Sequence, residues 1–163
     1  MQAPGEKIGA SSTSAILVRP MASSDAAAAQ SILNESPQAS MWSKESLVQW
    51  ATNRSAWVAE LDGSIAGILF GRVAADEYEI INLAVGKSSR RKGVATNLLC
   101  AAIEKARSEG AREFYLEVRA SNEAAKSFYT RMGFRVCGRR SNYYSDPVED
   151  AVVLNFHKQE KNP

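Results

Sequence analysis

Asn82-Leu83-Ala84-Val85 and, four residues on, Arg90-Arg91-Lys92-Gly93-Val94-Ala95-Thr96 form the stretch on which the reading of this chain turns. An apolar strand runs into a basic, glycine-bearing turn and then into a helix expected to begin near Ala95. The first turn of a helix leaves backbone N–H groups unpaired, and the helix dipole adds partial positive charge there, so an anion is favoured. With three cations alongside, the expected occupant is the pyrophosphate of a cofactor. A P-loop would need a closing Gly-Lys-Ser/Thr and a dinucleotide fingerprint would need three spaced glycines, whereas only Gly93 is present.

Downstream, Leu98, Leu99, Ala102, Ile103 and Ala106 recur at helical spacing, and Gly110 stands where a left-handed cap is wanted. Residues 114–118 read as a buried strand, 122–132 as a helix stopped by Gly133, and 134–138 and 151–156 as two closing strands. A strand over 78–85 and the strand over 114–118 flank the helix, so they are expected to lie parallel through a right-handed crossover. Upstream, residues 15–18 make a short strand ended by Pro20. Ser23 or Ser24 is expected to cap an alanine-rich helix to residue 33, and Ser43 a second helix to residue 51. Residues 56–61 and 65–73 flank Asp62-Gly63, a hairpin signal, and a polar turn at Ala75-Asp76 leads into 78–85. The result is an α/β chain: an antiparallel meander joined to a parallel crossover, with helices on a mixed sheet.

Composition narrows the function classes. The 163 residues are 45% hydrophobic and 23% charged, which suits one globular domain over 15–163, preceded by a flexible tail over 1–14 without the apolar core of a signal peptide. A formal charge of +2 supplies no global field for nucleic acid or an anionic membrane. Cys100 and Cys137 stand alone, so neither a disulfide framework nor a metal site is indicated, and a cytoplasmic setting follows. His157 is the one histidine, has no partner at recognisable spacing and receives no role.

The pattern Q/R-x-x-G-x-G/A, met by Arg90, Gly93 and Ala95, resembles the acetyl-CoA pyrophosphate loop of the GNAT superfamily of N-acetyltransferases. The likeness extends through Leu116-Glu117-Val118-Arg119-Ala120-Ser121-Asn122-Glu123-Ala124-Ala125, Phe128-Tyr129, Met132-Gly133-Phe134, Arg139-Arg140-Ser141-Asn142-Tyr143-Tyr144 and Glu149-Asp150-Ala151. In these segments the chain is most similar to the bacterial ribosomal-protein-alanine N-acetyltransferases, tightly from Asn82 onward and loosely before it. The resemblance implies the GNAT fold, a mixed central sheet of about seven strands with four helices. It also implies acetyl-CoA as co-substrate, no metal, and direct transfer to the N-terminal alanine of a small-subunit ribosomal protein by a monomeric enzyme.

Acetyl transfer to an amine requires the neutral amine, because an ammonium has no lone pair. For an α-amino group of pKa about 8, deprotonation at pH 7 costs about 1.4 kcal/mol, against about 4.6 kcal/mol for a lysine of pKa about 10.4. A single carboxylate base therefore suits an N-terminus better. Glu117 is the candidate base: it ends an inner strand, and the matching glutamate of the resembled family accepts the proton. A strand-end carboxylate paired with Arg119 or Arg112 is its structural alternative, and Glu79 on the neighbouring parallel strand is the rival base. Tyr129 is the candidate acid, since a phenol keeps its proton at neutral pH and the family carries its donor there; burial as core is the alternative.

Asn122 is placed to cap the helix bearing Tyr129, and the resemblance adds a cofactor contact. Leu83, Ala84 and Val85 are expected to offer backbone groups to the pantetheine arm, since parallel strands that splay apart leave donors and acceptors free. Arg90, Arg91, Lys92, Gly93, Val94, Ala95 and Thr96 form the phosphate loop. Tyr143 and Tyr144, in a loop between the last two strands, and Trp42, between the first two helices, are expected to flank the peptide entrance. Two other readings stay open: a related enzyme acetylating a small amine or lysine, and a non-catalytic acyl-CoA sensor.

Overall fold

The computed structural model describes residues 14–38 and 42–157. Along the chain these form β1 (Ile16–Pro20), α1 (Ala26–Asn34), α2 (Lys44–Thr52), β2 (Ala56–Leu61), β3 (Ser64–Ala74) and β4 (Glu77–Val85). There follow α3 (Val94–Ser108), β5 (Glu113–Arg119), α4 (Glu123–Arg131), β6 (Arg135–Ser145) and β7 (Val148–His157). Asp62 and Gly63 both take left-handed φ, 53° and 77°, and so close the β2–β3 hairpin with the twist its strands need. Ala75 does the same at φ 56° between β3 and β4. The seven strands make one sheet in the order β1-β2-β3-β4-β5-β7-β6, antiparallel except for the β4–β5 pair. The expected mixed α/β fold is therefore observed.

Helices cover both faces. On one side Leu98, Leu99, Ala102 and Ala106 of α3 pack with Phe114 and Leu116 of β5, Tyr129 of α4 and Phe134. On the other, Ala29, Ile32 and Leu33 of α1 and Leu47 of α2 cover Val58, Ile68 and Phe70. Gly67 lets α3 come close: a Cβ there would stand 2.6 Å from Val94 Cγ1 and 3.0 Å from Leu98 Cδ1.

One irregularity opens the sheet. Phe70 pairs with Asn82 but Gly71 pairs with Ile80, so Ile81 is an extra residue in β4. Such a bulge bends its strand and interrupts the ladder. The parallel pairing of β4 with β5 accordingly runs from Glu77–Glu113 only as far as Ile80–Leu116. Beyond it β4 keeps its antiparallel bonds to β3 and leaves its other edge free.

Several expectations need correction. Ser23 and Ser24 do not cap α1: they lie in a short 3-10 turn over Ser23–Asp25. There the Asp25 carboxylate accepts the Ala22 N–H at 2.8 Å and pairs with Arg19. Ser43 does cap α2, its hydroxyl accepting the Ser46 N–H at 3.2 Å. Residues 139–144 are not a loop: β6 continues through them to Ser145, and β7 lies between β5 and β6. The sheet's outer edge exposes both faces of β6, so its sequence lacks the alternation that marks a strand with one buried face. Apart from Ser14, the tail expected over residues 1–14 lies outside the described residues.

Candidate active site

The gap between the free edges of β4 and β5 is a slot of about 450 Å³. Leu83, Ala84, Val85, Arg90 and Ala95 line one wall, Leu116, Glu117, Val118 and Arg119 the other, with Asn122, Ala125, Phe128, Tyr129 and Tyr144 closing it. The sequence placed most of these together; the bulge supplies the physical reason they part.

At one end of the slot stands the start of α3. Arg91 at φ 59° and Gly93 at φ 84° turn the chain sharply into Val94, and the first helical bond runs from Asn97 N–H to Gly93 O at 3.0 Å. The N–H groups of Val94, Ala95 and Thr96 precede that bond. No side-chain cap bond is made at this terminus and no acidic residue sits in the first turn, so the positive end of the helix is uncompensated. Arg90, Arg91 and Lys92 are exposed beside it. The Arg90 Nε–H leans on Val85 O at 3.4 Å. The Val94 side chain is 1% exposed and packs into the core, so only its backbone faces the turn.

Glu117 lies past the last β4–β5 pair, where no strand covers it on the β4 side. Its partner is neither Arg119 nor Arg112. Arg140 of β6 reaches across β7 and places Nε 2.5 Å from Glu117 Oε1. The same carboxylate faces the Tyr143 hydroxyl, and its negative charge pushes the phenol up to about 12. Arg119 is taken by Glu149 at 3.2 Å and lies 4.3 Å from the centre of the Tyr144 ring. Tyr144 lines the slot, while Tyr143 stands edge-on to it at 5.1 Å.

Tyr129 faces the slot from α4 with its ring held edge-on between Phe128 at 5.1 Å and Phe134 at 5.5 Å. Burial raises its phenol pKa, so the proton stays on oxygen at neutral pH. Asn122 caps α4, its Oδ1 accepting the Ala125 N–H at 3.1 Å, and also lines the slot. One residue thus both caps the helix and lines the slot.

Of the residues the sequence nominated, Arg91, Lys92, Gly93, Val94, Thr96 and Tyr143 stand beside the slot without lining it, and Glu79 and Trp42 lie apart from it. Glu79 sits on the laddered part of β4 and is bound by Arg72, Nη2 to Oε2 at 2.6 Å. Trp42 stacks on Trp50 at 5.2 Å and meets Phe70 edge-on at 4.5 Å, so it covers the second core instead of lining the slot. Two others went unforeseen. Asn82 lines the slot beside the bulge, with its Nδ2 buried and without a hydrogen-bond partner. Arg140 has no spacing signal to Glu117, because the contact depends on β7 lying between their strands. Among the described residues no cluster of His, Cys, Asp or Glu could hold a metal ion, and no helix is long and apolar enough to cross a membrane.

The chain is similar to known proteins in sequence and in fold. An E. coli [ribosomal protein bS18]-alanine N-acetyltransferase is 36% identical over 95 residues, 57% of this chain and 64% of its own length. The chain thus spans just under two thirds of that relative. The Haemophilus ducreyi protein of the same name is 35% identical over 121 residues, 71% of this chain and 83% of its own. The crystal structure of the E. coli ribosomal-protein-S18-alanine N-acetyltransferase superposes with a TM-score of 0.76 at 28% identity, covering 91% of this chain and 99% of that one. The model of the acetyltransferase (GNAT) family matches residues 26–134, and the chain belongs to that family.

Proposed function

We propose that this protein is an N-α-acetyltransferase that transfers the acetyl group of acetyl-CoA directly to a protein N-terminus, with the N-terminal alanine of a small-subunit ribosomal protein as its substrate. The observation that carries the reading is the slot itself: a free strand edge, an uncapped cationic helix start, one carboxylate and one buried phenol line a single cavity. The relatives named for bS18-alanine acetylation support the substrate.

The residues present fit acetyl-CoA. The unpaired edge of Leu83, Ala84 and Val85 suits the amides of a pantetheine arm, and the start of α3 with Arg90, Arg91 and Lys92 suits a pyrophosphate. Bound there, acetyl-CoA supplies an acyl thioester. Glu117 accepts a proton from the incoming ammonium, directly or through one water, and so frees the lone pair that attacks. Tyr129 offers its hydrogen to the departing sulfur. Burial raises the phenol pKa, so complete transfer runs uphill and the phenol acts as a hydrogen-bond donor to the sulfur, while the second proton shed by the amine nitrogen as the amide forms neutralises the thiol that leaves. Neither cysteine has this setting: Cys100 and Cys137 are exposed on the outside of α3 and β6, so a covalent acyl-enzyme is not part of the scheme.

The test pairs E117Q and Y129F with peptides beginning Ala-Arg and with N-blocked peptides carrying only lysine amines. Acetyl-CoA affinity should survive both substitutions while turnover of the Ala-Arg peptide falls by about 10² to 10⁴. Faster turnover of the lysine peptides would end the N-terminal reading. Undiminished turnover in E117Q and Y129F would end the acid–base assignment.

A further inference from the structure

Asp150 of β7 builds a corner in β6. Its carboxylate accepts the Asn142 backbone N–H at 2.8 Å and the Arg139 Nε–H at 2.7 Å. Between the pairs Arg140–Ala151 and Tyr144–Glu149, three residues of β6 face Asp150 alone, and Asn142 adopts φ 51°. A bulge of this size bends its strand and re-aims the side chains beside it. Here the re-aimed side chains are Arg140 and Tyr143, and both end on Glu117.

The pair is asymmetric in a telling way. The Arg140 side chain is 60% exposed and the Glu117 side chain 16%, so the carboxylate is met from outside through the guanidinium. The two cations that line the slot are engaged elsewhere, Arg119 with Glu149 and the Tyr144 ring, Arg90 with Val85 O. Arg140 is the cation on the base. An incoming N-terminus is also a cation bearing N–H donors, and it needs the same carboxylate.

Resting on the reading of Glu117 as proton acceptor, we infer that Arg140 holds the place at Glu117 that the substrate's ammonium takes, making the Asp150-built bulge a cation-exchange gate at the peptide entrance. Exchange of guanidinium for ammonium keeps the carboxylate paired while the substrate binds, which avoids leaving a mostly buried charge alone. After transfer the N-terminus is a neutral amide and has no charge to hold the carboxylate. Once Glu117 has passed the amine's proton to water its carboxylate is charged again, and the guanidinium returns and releases the product. Arg140 is a positioning residue: it acts through Glu117 and touches no reacting atom.

The experiment measures calorimetric binding, with CoA present, of an Ala-initiated peptide and of the same peptide lacking its terminal amine. In R140Q the amine peptide should bind about three- to fivefold more tightly, the upper range for an ion pair with one exposed partner, while the des-amino peptide is unchanged. Introduced into E117Q, the same substitution should change neither affinity. R140K keeps a cation and should bind as the wild type does. Unchanged or weaker amine-peptide binding in R140Q, equal tightening of both peptides, loss of both, or tightening by R140K as large as that by R140Q overturns the gate. Turnover of E117Q reports separately on the base, so failure of that assignment is distinguishable from failure of the exchange.

Discussion

Gly67→Ala probes the packing that sets one wall of the slot. The added methyl would stand 2.6 Å from Val94 Cγ1, 3.0 Å from Leu98 Cδ1 and 3.2 Å from the Ala84 carbonyl oxygen. Carbon atoms rest comfortably at about 3.5–4.0 Å, so Val94 must retreat by about 1 Å. Val94 opens α3, and a β-branched residue in a helix has essentially one rotamer, so the helix start moves with it. Ala84 is pinned by its pairing with Ile68 and cannot yield equally. Overpacking of this kind costs about 1–3 kcal/mol, which in a chain of this length lowers Tm by about 3–10 °C. Displacing the uncapped N–H groups should also weaken acetyl-CoA binding by about tenfold, since charge-assisted hydrogen bonds depend steeply on distance. Thermal unfolding by circular dichroism and titration calorimetry with acetyl-CoA read both effects. Gly63→Ala is the control: it meets open space but sits at φ 77°, so it should cost about 1 kcal/mol and leave the affinity alone. A Gly67→Ala protein with unchanged Tm and unchanged affinity would refute the claim that α3 is seated on this glycine.

Asn122→Ala removes the cap of α4 and should cost about 1 kcal/mol, or about 2–4 °C in Tm, measurable by the same melts. Asp25 has its carboxyl held below the usual range, chiefly by the Arg19 hydrogen bond. Its contribution is present above the unfolded value of about 3.9 and is lost as pH falls through the folded one, so D25N should flatten the loss of stability in urea titrations run below about pH 4. Replacing Arg91 and Lys92 together by alanine should weaken acetyl-CoA binding several-fold and reduce its salt dependence in calorimetry, because exposed cations act through screened attraction.

Much of this fold is legible locally. Asp62-Gly63, Gly110, Gly133, Ser43 and Asn122 each carry their conformational instruction within a few residues, and the apolar spacing from Leu98 to Ala106 needs no distant partner to read as a helix. The strand–basic turn–helix order around Arg90 is equally local, so the slot's cationic end could be located from the chain alone. The N-terminus of α1 is harder, because two serines and an aspartate all offer a capping oxygen and none caps α1: Asp25 turns its carboxylate back to the Ala22 N–H and to Arg19, which lies across the turn from it.

What the sequence by itself determined is therefore the list of elements, their polarity and the residue types at the ends of β4 and β5, because turn, cap and period signals act over fewer than about ten residues. Tertiary structure alone decided where β4 leaves β5, since the extra residue at Ile81 exists only relative to the register with β3. It alone put Trp42 into the second core, tied Glu79 to Arg72 and brought Arg140 across β7 onto Glu117. Each of these is a contact between separate strands or helices, even where the residues are as near in the chain as Arg72 and Glu79, and side-chain choice at such a contact depends on which surface arrives opposite, which no turn, cap or period signal encodes.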